Sequence, residues 1–218
     1  MEAYTETQTL WNDVYTTIAA TDKSSEAQSY LDQLDEIQVE LTAATNAVEA
    51  NYLVGESVAK AQDFAAIQAK INTVKQTQKD SYAAFIAADN KVAHESFVTA
   101  IDQATKAYQK AVQERAEYSS TNADVKAKID ALAATLDKAL FSAPTDIANL
   151  TKDEHDAYVA NSALENPTPF DVSQYNTDAL TIEQHIIAAL NTFKAGVKGA
   201  LSDFWTGKKT NYNAAVTA

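Results

Sequence analysis

Apolar side chains recur along this chain at intervals of three and four, the period of one helix face, and not at the interval of two that marks a half-buried strand. Leu31, Leu34, Leu41 and Val48 form one stripe, filled in by Ile37 and Ala44. Phe64, Ile67, Ile71, Val74 and Gln78 form a second, and Phe97, Ile101, Ala104, Tyr108 and Val112 a third. Val125, Ile129, Leu132, Leu136 and Leu140 form a fourth. The richest runs from Ile182 through Ile186, Ala189, Leu190, Phe193, Val197, Ala200 and Leu201 to Phe204. On that last stripe Ala195-Gly196 and Gly199-Ala200 lie four residues apart, small enough for a neighbouring helix to approach closely.

Small polar clusters punctuate the stripes. Thr21-Asp22-Lys23-Ser24-Ser25-Glu26 offers N-cap residues before an acidic first turn. Gly55-Glu56-Ser57 reads as a C-cap and restart. Asp89-Asn90 is a candidate break, and Ser119-Ser120-Thr121-Asn122-Ala123-Asp124 a stop and N-cap. These signals predict helices over 3–20, 25–53, 57–88, 91–118 and 122–141. All three prolines, Pro144, Pro167 and Pro169, fall in 142–177. That region reads as a proline-containing loop with one short helix over 151–163, starting at Thr151. The Asn166-Pro167-Thr168-Pro169 segment is expected to be extended, because proline biases its predecessor away from helix. A closing helix is expected over 178–206. Residues 65–72 resemble 123–130, and 41–48 resemble 101–108, at offsets near 60, which suggests two helical hairpins of similar length.

The expected fold is therefore all-α. It is an elongated helical bundle with coiled-coil-like seams and a single domain over 1–218. Its parts are two long hairpins (25–88 and 91–141), the 142–177 loop region and the 178–206 closing helix. Composition refines this picture. Alanine supplies 42 of the 218 residues, so the seams between helices should be thin. Four glycines leave little room for glycine-rich phosphate loops, and the absence of cysteine excludes disulfides, thiolate metal sites and a cysteine nucleophile. No run of apolar residues is long enough to span a bilayer, so no membrane insertion is expected.

The net charge of −13 argues against nucleic acid, whose affinity rests on phosphate contacts. The charge is uneven: residues 1–59 hold eleven acids and one lysine, whereas 179–218 hold two acids and four lysines. The acidic face either packs beside the basic closing helix or meets a cationic partner.

Motifs for chemistry are lacking. A di-iron bundle needs Glu-x-x-His, but Lys91, Lys152 and Ile182 stand three residues before His94, His155 and His185. His94 reads as a boundary residue. Asp153-Glu154-His155-Asp156 reads as the wet, acidic first turn of a helix, without the spacing of a calcium loop. There is no Gly-x-Ser-x-Gly elbow. No catalytic residue, metal or cofactor is expected.

The aromatic residues carry more information. Tyr4, Trp11 and Tyr15 share a face near one end of the chain, and Phe204, Trp205 and Tyr212 lie near the other. They either pack the terminal helices together or form an exposed patch for a partner. Phe170 and Tyr175, beside Pro167 and Pro169, are candidate contact knobs. The candidate binding residues are thus Trp11, Phe170, Tyr175 and Trp205.

The Ala-, Thr- and Asn-rich hairpins resemble helical spacer modules of bacterial surface proteins. That resemblance implies a non-enzymatic module of an exported protein, extracellular or at the cell surface, whose leader peptide is absent from this sequence. It would act as a spacer or by binding a protein partner. The alternative is a self-associating structural subunit of a larger assembly, such as a phage virion component.

Overall fold

The computed structural model describes residues 2–54, 61–164 and 166–217. Among them the chain forms five helices and no strand: α1 (Glu2–Thr21), α2 (Ala27–Val54), α3 (Ala61–Glu117), α4 (Ala123–Ser162) and α5 (Ser173–Thr217). The all-α expectation holds. The chain divides into two compact units, Met1–Ala88 and Asp89–Ala218, and α3 gives its first part to one and its second part to the other.

The first unit holds α1, α2 and the start of α3 in an up-down-up order. Gln8 and Gln38 exchange amide hydrogen bonds at 3.1 and 3.4 Å, and the Trp11 indole N–H donates to the Leu34 carbonyl at 2.6 Å, which sets α1 antiparallel to α2. Gln68 donates to the Thr7 hydroxyl at 2.8 Å, and Gln78 donates to Asp22 at 2.7 Å, which sets α3 parallel to α1. The core takes Val14 and Ile18 from α1, Leu34, Ile37 and Leu41 from α2, and Phe64, Ile67, Ile71 and Val74 from α3. These are the first two stripes of the sequence with α1 added. Asp22 ties the α1–α2 loop to α3: one carboxylate oxygen accepts the Ser24 N–H at 2.9 Å and the other accepts Gln78. Burial pushes its carboxyl up, but donors from Ser24 and Gln78 outweigh that and hold it below its ordinary value.

The second unit holds the rest of α3, α4 and α5, again up-down-up. Arg115 pairs with Asp137 at 3.0 Å and His94 meets Glu154 at 2.9 Å, so α4 runs antiparallel to α3. Lys194 donates to Glu114 at 2.6 Å and Asn176 to Ser96 at 3.2 Å, so α5 runs parallel to α3. The larger core joins Ala111, Val125, Ile129, Ala133, Leu136, Ala139 and Ala143 to Ile186, Leu190, Phe193 and Val197. Alanine on α4 facing branched and aromatic residues on α5 gives the thin seam that the composition implies. Gly196 marks its closest point: a Cβ there would meet a Leu132 methyl at 2.6 Å. Gly199 has nothing within 4 Å, so close approach needs only the first of the two small-residue pairs.

Three boundaries differ from the sequence expectation. Asp89-Asn90 does not break α3, because Asn90 is buried and bonds to a distant segment instead of competing with its own helix. Residues 142–162 are not loop: α4 runs straight through Pro144 to Ser162. Pro144 lies on the exposed side of the helix and Ala143 beside it stays in the core, so the stripe continues past the one backbone hydrogen bond that proline cannot donate. Thr151, expected to start a short helix, sits inside α4 with its hydroxyl bonded back to the Ile147 carbonyl. Finally, α5 starts at Ser173, whose N–H bonds the Asp171 carboxylate, and runs to Thr217 instead of spanning 178–206.

The Asn122 cap is as expected, its side chain accepting from the Asp124 and Val125 N–H groups. The expected Gly55-Glu56-Ser57 restart lies outside the described residues. In the repeated segments, Leu41 and Ile101, Ile67 and Val125, and Ile71 and Ile129 are buried alike.

Candidate functional site: an exposed aromatic stretch and a buried polar cluster

The four residues singled out in the sequence separate into three environments. Trp11 is half-buried in the first unit, stacked on Tyr15 at 4.8 Å, with its N–H spent on Leu34. Phe170 and Tyr175 are brought together in the second unit at 6.3 Å, both half-buried. Tyr175 lies edge-on to Phe97, and Phe170 tilts against Tyr158. Trp205 alone is open to solvent, 67% exposed on α5.

The surroundings of Phe170 contain a polar cluster that the sequence reading missed. Asn90 donates to the Thr168 carbonyl at 2.9 Å and accepts the Phe170 N–H at 2.7 Å. Asn161 donates to the same Thr168 carbonyl at 2.7 Å and accepts from the Thr168 N–H at 3.3 Å. The two amides do for this extended segment what strand neighbours would do, so the Pro167–Pro169 run is held without a sheet. One turn along α3, His94 turns its Nδ1 toward both oxygens of Glu154, at 2.9 and 3.0 Å. The Glu154 side chain is only 1% exposed, so it is not part of a wet first turn but a carboxylate enclosed in the bundle. Tyr158 stacks on the His94 ring at 4.4 Å.

A signal for this cluster was present. Glu154 continues the α4 stripe through Ala143, Ile147 and Leu150, and Asn90 continues the α3 stripe between Ile86 and Phe97. A polar residue on an apolar stripe is a candidate for a buried pair. A helix expected to end at 141 separates the first of these from its stripe.

The two amides tie α3 and α4 to the segment before α5. Every polar atom of Asn90 and Asn161 named above is directed at backbone. Among the described residues, no group of three or more His, Cys, Asp or Glu is arranged to hold a metal ion. The groove between α3 and α5 presents Lys106, Lys110 and Lys194, but Asp102 and Glu114 already pair with them. The Glu114 bond holds the Lys194 amine above its ordinary value. Ser142, Asp146 and His185 line a second groove between α4 and α5, yet no hydrogen bond joins any two of them. No nucleophile relay is formed there.

The remaining feature is the last stretch of α5. Phe204 still packs on the core and against Trp205 at 5.4 Å. Beyond it every described side chain to Val216 is exposed, including Tyr212 at 69% and Val216 at 67%. No described helix is long and apolar enough to cross a membrane. Compared with protein-family models, with curated proteins and with solved structures, the chain has no match in any of the three.

Proposed function

We propose that this chain is a non-enzymatic helical module that works by protein contact through the end of α5. In this reading it belongs to an exported bacterial surface protein, where it serves as a spacer or protein-interaction domain. One observation carries the reading: Trp205 and Tyr212 stay two-thirds exposed on a helix whose earlier turns are well packed. Large exposed aromatic residues on one helix stretch mark an interaction surface, because leaving them in water forfeits burial energy. A second reading, a subunit of a larger assembly such as a phage virion component, is favoured by the same stretch if its partner is another copy.

The double variant Trp205→Ala/Tyr212→Ala tests the reading. Its thermal midpoint should equal that of the wild type, and its association, read as mass by light scattering over a wide concentration range, should be lost. A midpoint lowered as for a core truncation, with association unchanged, would overturn it.

A further inference from the structure

The exposed stretch of α5 is charged as well as apolar. With 3.6 residues per turn, Leu201, Trp205, Tyr212 and Val216 project within about 60° of one another. Lys208 and Lys209 flank that stripe on either side, and the acidic Asp203 lies on the opposite side of the helix. Pairing two such stretches with each other would set lysine against lysine, which is unfavourable. The fitting partner is a helix with an apolar centre between acids.

The outer face of α2 has that character. Asp32, Asp35, Glu36, Val39 and Ala43 follow one another along a single face, all exposed, with Val39 at 71%. The spacing matches as well. Leu201, Trp205, Lys208, Lys209 and Tyr212 are separated by the same intervals as Ala43, Val39, Glu36, Asp35 and Asp32 taken in reverse. Laid antiparallel, the two helices set Trp205 on Val39, Lys208 on Glu36, Lys209 on Asp35 and the Tyr212 hydroxyl toward Asp32.

We propose that the end of α5 docks antiparallel onto the outer face of α2 in a second copy of this chain. The proposal rests on the reading of α5 as a contact surface and names its partner. The two surfaces differ, so the contact is heterologous and adds copies head to tail. Its charged pairs sit at the rim, so added salt weakens it.

Charge reversal tests both the partner and the register. Lys208→Glu/Lys209→Glu alone, and Asp35→Lys/Glu36→Lys alone, should each weaken association by about a hundredfold, because like charges then face each other. The quadruple variant should restore it. All three alter exposed side chains, and an unchanged thermal midpoint verifies that each is folded. If the lysine variant loses association while the acidic-face variant keeps it, α5 docks on a face of the second copy other than α2, and this inference is overturned while the proposed function stands. A wild type that stays monomeric at every concentration also overturns it. Association indifferent to both the lysine variant and Trp205→Ala/Tyr212→Ala overturns the inference and the proposed function together.

Discussion

His94 and the buried Glu154 form a part-buried pair in which one ring nitrogen serves both carboxylate oxygens, at 2.9 and 3.0 Å. Glu154 has no other hydrogen-bond partner among the described residues. The Glu154 carboxyl depends on that contact, because a buried polar group left without a partner is costly.

Removing either partner therefore has unequal effects. His94→Ala leaves the carboxylate stranded and should cost about 2–3 kcal/mol, below the range for a fully buried pair because His94 keeps contact with water. Replacing both residues, as His94→Ala/Glu154→Leu, should recover most of that loss. Urea titration of the three proteins measures it. A double variant less stable than His94→Ala would show that the pair contributes more than satisfying its own buried polar groups.

Asp22 makes the first unit sensitive to acid. Its carboxyl is held below the ordinary value of 3.8, so its contribution is complete above that pH and is lost as the pH falls through the lower, folded value. Asp22→Asn, which cannot ionise, should be about 1 kcal/mol less stable at neutral pH. The gap should close in strong acid. Thermal melts of both proteins from neutral pH downward check this, and a gap that widens in acid would contradict it.

The two glycines on α5 predict opposite outcomes. Gly199 has open space where a Cβ would go, so Gly199→Ala should stabilise by about 1 kcal/mol through helix propensity. Gly196 abuts Leu132, so Gly196→Val should destabilise by about 1–3 kcal/mol by overpacking the α4–α5 seam. Both are read from the midpoint of chemical unfolding.

Much of this architecture is legible in the spacing of apolar residues. Phe64, Ile67, Ile71, Val74, Phe97, Ile101, Ala104, Val125, Ile129 and Leu136 are all buried as the stripes imply. Val112 is an exception: it is 42% exposed, and Ala111 takes the inward position. Local punctuation was less reliable, because whether a residue breaks a helix depends on what it meets across the fold. Asn90 would favour a break in isolation, but the Thr168 carbonyl and Phe170 N–H occupy its amide. Pro144 would end a helix in isolation, but it falls on the wet side of a stripe that continues to Glu154. Exposure of the aromatic residues was equally undetermined by spacing. Trp11 and Trp205 look alike in sequence, yet Trp11 spends its N–H on the Leu34 carbonyl while Trp205 stays 67% exposed.

The two asparagines on Thr168 have a consequence for the order of events in folding. Asn161 lies seven residues from Thr168, whereas Asn90 lies 78 residues away. The near contact closes a short loop and can form as α4 ends, before the helices have assembled. The distant one must wait until α3 docks. Asn161→Ala should therefore slow refolding, while Asn90→Ala should leave refolding nearly unchanged and speed unfolding. Stopped-flow measurements on the two variants would reveal this as changes on opposite arms of the chevron, two amides on one carbonyl acting at different times.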